Sequence, residues 1–256
     1  MSYSLDTAKR LRAMTPARVG LGRSGVSQLT RDVLSFQMSH AQARDAVHAR
    51  LDVEALAQAI RAQFPSFPSG HVLRLHSAAA DRATYLQRPD LGRSLDARSR
   101  TALAPNEGGE VDVAMVVADG LSALAVERHV PPLLGLLLPR LAERNVAPVC
   151  VVEQGRVAIG DEIGEALQAR LSIVLIGERP GLSSPDSLGA YITWAPRVGR
   201  TDAERVCISN IREGKIRAEG LRYDEAAEQL ERAVTEAFQR RLTGVAPTAQ
   251  RALREG

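Results

Sequence analysis

Glu153-Gln154-Gly155-Arg156-Val157-Ala158-Ile159-Gly160-Asp161-Glu162-Ile163-Gly164, and then Ile176-Gly177-Glu178-Arg179-Pro180-Gly181-Leu182-Ser183-Ser184-Pro185-Asp186-Ser187-Leu188-Gly189, decide how this chain is read. Each stretch begins where a short aliphatic run gives way to glycine and charged residues. An open parallel sheet presents its ligand crevice at such points, beyond the carboxyl ends of its strands. A third corner of the same kind is Asp119-Gly120, which closes the apolar run Val111 to Ala118.

Working outward, Ala147 to Val152 and Leu171 to Ile176 read as short buried strands, and Tyr191 to Trp194 as a fourth. Between them Leu121 to Arg128 and Leu133 to Glu143 read as helices parted by Pro131-Pro132. Asp161 to Arg170, a segment near Asp202 to Arg212, and Tyr223 to Leu242 read as further helices. Buried strands alternating with helices indicate βαβ units. The fold class expected is α/β, a Rossmann-like parallel sheet flanked by helices.

Upstream the texture is different. Thr30 to Ala49 carries Val33, Phe36, His40, Ala43 and Val47 at helical spacing, with Ser27 to Thr30 as capping residues, and His40 reads as a packing residue on that stripe. Asp52 to Gln63 reads as a second helix, ended by Phe64 to Gly70. The first 100 residues therefore read as mostly helical, and Thr101 to Glu110 as the linker. The division expected is a helical N-terminal region at 1–108 and the sheet domain at 109–256.

Composition narrows the function. The chain has 256 residues, 45% of them hydrophobic, and no run long enough to span a bilayer. Its 33 basic and 30 acidic residues nearly balance, and the excess is local: residues 1–50 hold eight basic side chains against three acidic ones. With only 4% aromatics for base stacking, this fits docking on an acidic protein surface better than nucleic-acid binding. Two lysines, Lys9 and Lys215, both outside apolar strand ends, make a Schiff-base enzyme a poor reading. Cys150 and Cys207 lack metal-ligand spacing, and an intracellular chain keeps them as thiols.

The familiar catalytic signatures are missing. No G-x-G-x-x-G follows the first strand, no phosphate-binding G-x-x-x-x-G-K-[ST] occurs, and the five histidines form no H-E-x-x-H. There is no G-x-S-x-G elbow, and Ser183-Ser184 has no adjacent histidine. What remains is acidic groups at three successive strand ends, with Glu153 and Glu178 the sharper candidates, since a buried carboxylate needs donors around it. Any one glycine of Gly120, Gly155 and Gly177 reads as a turn. A cofactor-holding subunit is favoured over a complete enzyme.

Longer motifs then carry a resemblance. Thr15 to Gly25, His40 to His48, Asp81 to Leu86, Ala118 to Ala123, Glu153 to Ala195, Thr201 to Arg205 and Cys207 to Ile211 resemble the small subunit of ethanolamine ammonia-lyase, over roughly residues 10 to 245. The resemblance implies a subunit of an adenosylcobalamin-dependent carbon–nitrogen lyase converting ethanolamine to acetaldehyde and ammonia. It implies a large (β/α)₈ barrel subunit as partner, a hetero-oligomer with several copies of each chain, and inactivity of this chain alone. Cobalamin contacts carry over to Val157, Glu178 and Cys207, with no catalytic residue and no metal ligand in this chain. Val157 meets the corrin through its backbone or packs by its side chain; Cys207 makes a van der Waals or a backbone contact.

The cobalt-ligating D-x-H-x-x-G is absent, so the resemblance implies base-on cobalamin. The cytoplasm is the expected location. A bacterial microcompartment stands as the alternative, with only Met1 to Lys9 ahead of the matching region to carry such a signal. Neither nucleic acid nor membrane is an expected partner. The rival function is a stand-alone corrinoid carrier or chaperone.

Overall fold

A computed structural model describes residues 5–15, 17–63, 72–103, 111–213 and 220–245. Helix α1 (Leu5–Met14) leads to a hairpin of two-residue strands, β1 (Arg23–Ser24) and β2 (Ser27–Gln28), and then to α2 (Thr30–His48) and α3 (Val53–Gln63). Next come strand β3 (Leu73–His76), the short helices α4 (Arg82–Gln87) and α5 (Ala97–Ala102), and a 3-10 turn at Leu91–Arg93 between them. The alternating part follows: β4 (Val111–Ala118), α6 (Ala123–Arg140), β5 (Cys150–Glu153), α7 (Ile159–Ala166), β6 (Ala169–Gly177), β7 (Leu188–Trp194), β8 (Arg205–Ile211) and α8 (Tyr223–Arg240).

One six-stranded sheet runs β3-β5-β4-β6-β7-β8. The first four strands are parallel, and β7 lies antiparallel to both β6 and β8. The chain leaves β4 for β5 on one side and returns to β6 on the other. That reversal puts a switch point at the end of β4, where Asp119 and Gly120 stand.

Side-chain alternation divides the core into two layers. Val113, Met115 and Val117 of β4 join Leu171, Ile173 and Leu175 of β6 against α3, α6 and α8. Ala114, Val116, Ala118, Val174 and Ile176 face the other way, onto Ile159, Ile163 and Leu167 of the α7 segment. Helix α7 is only eight residues long; on that face it covers Thr193 of β7 and Arg205 of β8, and leaves the neighbouring pair Tyr191 and Cys207 more open. Tyr191 is only half-buried there and Cys207 is exposed.

Three local expectations are corrected. Pro131 and Pro132 do not separate two helices: both lie inside the single helix α6. A proline in a helix interior removes a backbone donor and costs about 3 kcal/mol. Val126, Val130, Leu133, Leu134 and Leu137, all fully buried on one side, hold the helix together across it. The segment near Asp202 to Arg212 is not a helix but a 3-10 turn at Asp202–Glu204 followed by β8, whose Arg205, Ile208 and Ile211 are buried between exposed residues. Ser27 to Thr30 supply no side-chain cap; Leu29 occupies the N-cap position of α2.

The stripe expected on α2 packs only in part: among the described residues Val33, Ala43 and Val47 are half-buried, while Phe36 and His40 are exposed. Ala46 is the one buried residue of that helix, while Leu34, Phe36 and Met38 are 59%, 45% and 63% exposed. His40, read as a packing residue, is exposed and stacks on Phe36 at 6.2 Å. In the expected linker, Thr101 and Ala102 end α5, and residues 104–110 lie outside the described ones. Strand β3 adds an edge to the sheet beside β5, and Phe64 to Gly70 also lies outside the described residues.

Candidate functional site

Asp119 begins the site. Its carboxylate is 1% exposed, accepts the Gly155 N–H at 3.1 Å and lies 3.6 Å from the Arg82 guanidinium. Burial pushes its pKa up to about 6, against the pull of Arg82 and the backbone N–H groups of Gln154 and Gly155. The first and second corners are thus stitched together by one carboxylate. The Leu121 N–H donates to the Gly177 carbonyl at 2.9 Å and ties in the third.

Gly120 and Gly177 are needed for this closeness. Gly120 has φ +56, and a Cβ on it would press on the Gly177 carbonyl; a Cβ on Gly177 would meet the carbonyl oxygens of Ser122 and Asp119. Both glycines therefore serve the packing of corner on corner.

The N-terminal half completes the floor. Arg82 donates to the carbonyls of Val47 at 2.7 Å and Gly120 at 2.8 Å, and to Gln154 Oε1 at 3.3 Å. Tyr85 is fully buried, donates to the Gly155 carbonyl at 3.1 Å, and has Arg156 over its ring at 4.2 Å. Burial raises the Tyr85 pKa, so it stays a neutral donor.

Above this floor lies a crevice with two lobes. The first, about 430 Å³, is lined by Tyr85, Gly120, Leu121, Arg156, Val157, Ile176, Gly177, Glu178, Arg179 and Tyr191. The second, about 440 Å³, runs over the start of α7 toward the turn before β8. Arg156, Val157 and Tyr191 line both.

Of the three residues singled out in the sequence, Val157 faces both lobes and Glu178 the first. Cys207 lines neither. It sits opposite Tyr191 in the β7–β8 ladder and hydrogen-bonds with that tyrosine's hydroxyl. Desolvation raises the Cys207 pKa, with the Glu178 charge acting the same way and Tyr191 opposing it. Glu153 lines neither lobe, and its carbonyl accepts from the Ser77 N–H at 3.0 Å.

Glu178 is positioned by a local irregularity. The β7–β8 register shifts between Leu188 and Ala190, and Asn210 takes φ +58, a conformation asparagine tolerates. That bulge turns the Asn210 N–H toward the Glu178 carboxylate, at 3.2 Å from each oxygen. The Ser187 hydroxyl donates to Oε2 at 2.6 Å. An ionised carboxylate has about four lone-pair sites, so the group retains acceptor capacity toward the lobe.

Sequence reasoning missed Tyr191, Arg93, Arg200 and Arg205. Tyr191 had a signal, being the aromatic on the alternate face of Leu188 to Trp194. The arginines had none, because they converge from separate turns.

Comparison with known proteins bears on what this crevice serves. The family model for the ethanolamine ammonia-lyase light chain (EutC) matches residues 5–247. The chain belongs to that family. Curated relatives named ethanolamine ammonia-lyase small subunit include one from Pseudomonas aeruginosa, 56% identical over 240 residues, covering 92% of this chain and 84% of the relative. Those of Ralstonia nicotianae and Azotobacter vinelandii are each 55% identical, covering 92% and 93% of this chain and 85% and 86% of the relative. In the light-chain family, then, a chain with no catalytic signature of its own carries a large crevice at a sheet switch point. Among the described residues, no helix is long and apolar enough to cross a membrane.

Proposed function

We propose that this chain is the small subunit of an ethanolamine ammonia-lyase complex and holds base-on adenosylcobalamin in the two-lobed crevice, against a large subunit that supplies the substrate site. One observation carries the reading. The crevice combines apolar lining from Leu121, Val157 and Ile176 with an oriented acceptor, Glu178. A corrin ring offers that chemistry in mirror image: an apolar macrocycle fringed by amide N–H donors. The residues present fit the group.

When bound, adenosylcobalamin supplies radical chemistry through homolysis of its cobalt–carbon bond; the protein's contribution is binding, orientation and exclusion of water. In this chain Glu178 accepts amide N–H donors, held in place by Ser187 and the turned Asn210 amide. Charged acceptors make hydrogen bonds roughly twice as strong as neutral ones. Val157 presents an apolar contact and Tyr191 a flat wall. Cys207, hydrogen-bonded to Tyr191, sits on the open part of the sheet as a contact group.

The exposed Leu34, Phe36 and Met38 of α2 are where we place contact with the large subunit. A soluble surface seldom leaves large apolar groups clustered without a partner. The basic bias of residues 1–50 suits an acidic facing surface. The complex is read as a hetero-oligomer with several copies of each chain, in the cytoplasm or enclosed in a microcompartment.

The test is ethanolamine-dependent acetaldehyde formation with adenosylcobalamin by this chain alone, the large subunit alone, and both co-expressed. Activity is expected only in the pair. A folded pair without activity, together with tight corrinoid binding by the isolated chain, would favour the carrier reading instead.

A further inference from the structure

The second lobe differs in charge from the first. Arg93, Arg156, Arg200 and Arg205 line it, against one lining carboxylate, Asp202. Two of the four guanidinium groups are neutralised at once. Arg205 makes a paired contact with Asp161, 2.7 Å to each oxygen, and Arg200 reaches Glu204 at 2.5 Å. Asp202 contacts Arg205 at 3.4 Å and is otherwise turned to solvent.

Arg93 and Arg156 have no carboxylate within ion-pair distance among the described residues. Arg156 donates one weak bond to the Tyr85 carbonyl at 3.4 Å, and its buried Nε has no acceptor. A buried N–H without a partner carries a desolvation cost that a ligand acceptor removes. The wall between these two arginines holds Val157 and Ala158, and Ala158 stands at the start of α7 without a side-chain cap.

We propose that this lobe is a subsite for a phosphate ester, and that the group it takes is the phosphodiester of the corrinoid whose amide-fringed ring occupies the first lobe. This rests on the function proposed above. The two lobes share Arg156, Val157 and Tyr191, so one molecule reaches both without leaving protein surface. The ring side of a cobalamin brings neutral amides, and its nucleotide tail brings one anion. Glu178 lines only the first lobe, together with Arg179 and the shared Arg156, while Arg93 lines only the second; an acceptor for the amides and an unpaired guanidinium for the anion thus stand in separate lobes. Guanidinium forks suit phosphate oxygens particularly well.

The experiment uses the co-expressed complex and two corrinoids: cobalamin, and cobinamide, which lacks the nucleotide tail and its phosphate. Affinities are read by equilibrium dialysis, for the wild type, Arg93→Gln and Arg93→Lys. Arg93 is exposed and makes no structural ion pair, so the variants are expected to fold. Arg93→Gln is expected to weaken cobalamin about tenfold, as for a lost charge-assisted contact. Cobinamide affinity should stay within error, and Arg93→Lys should recover part of the loss. Equal weakening of both corrinoids, or no change in either, overturns the subsite. If the wild-type complex binds neither corrinoid, the cofactor reading itself fails, and the subsite with it.

Discussion

Replacing Arg205 by methionine leaves the Asp161 carboxylate without its partner at the start of α7. Both side chains are 2% exposed, and the pair is joined by two contacts of 2.7 Å; Arg205 also donates to Thr193 Oγ1 at 2.8 Å and the Arg200 carbonyl at 3.2 Å. Removing one member of such a buried pair costs about 3–5 kcal/mol, because the remaining charge is left buried without its hydrogen-bonded partner. For a chain of this size that lowers Tm by about 10 °C.

The loss should depend on pH. Burial already pushes the Asp161 pKa up, and Arg205 opposes it, so removing Arg205 raises it further. A group whose folded pKa lies above its unfolded value contributes most below the unfolded pKa and loses that contribution as pH rises through the folded one. Arg205→Met should therefore be less damaging at pH 5 than at pH 8. Urea denaturation at both pH values measures this, and Asp161→Leu combined with Arg205→Met should recover most of the stability. A loss below about 1 kcal/mol, or the same loss at both pH values, would refute the reasoning.

Further outcomes follow from the same geometry. Asp119, held up to about 6 from 3.8, should lose its contribution to stability as pH rises from about 4 through 6; Asp119→Asn should flatten that slope by about 2–3 kcal/mol, and a pH-independent difference in urea midpoints would contradict it. Gly177→Ala should destabilise by several kcal/mol, since its methyl meets two backbone carbonyls that cannot withdraw; a Tm within about 2 °C of wild type would count against the packing described. Cys150, fully buried and pushed up to about 12, should resist thiol reagents in the native protein while exposed Cys207 reacts, and cobalamin should protect Cys207 in the complex. Glu178→Ala should weaken cobalamin affinity of the complex about tenfold and leave the apparent KM for ethanolamine nearly unchanged; unaltered cobalamin affinity would remove Glu178 from the site.

Much of the sheet domain was legible as local pattern. Val111 to Ala118 is apolar because both its faces are covered, and it ends at Asp119-Gly120 because the chain must turn there. Glu178 was legible only as one of two candidates: a carboxylate directly after a buried strand marks a corner, yet Glu153 at the same kind of corner lines neither lobe. Less visible was what holds Glu178. The Asn210 bulge lies 32 residues away in a segment read as helical, and its amide is aimed by a register shift that no periodicity announces.

The prolines of α6 show the opposite limit. Pro131-Pro132 is a strong local stop, yet the buried face of the helix outweighs it, an energy that exists only once the sheet is in place. Helix α2 was legible, but the exposure of its Leu34, Phe36 and Met38 was not, because periodicity reports that a face is apolar and not what covers it.

By itself the amino-acid sequence determined the α/β class, the three polar corners after buried strands and the family. These depend on runs and spacings within a few residues, or on long ordered motifs. Only the tertiary structure decided the antiparallel direction of β7, the stitching of the corners through Asp119 and Gly177, and the gathering of Arg93, Arg156, Arg200 and Arg205 around one lobe. Those arrangements depend on strand order and on which face each turn leaves open, quantities set by packing among elements distant in the chain.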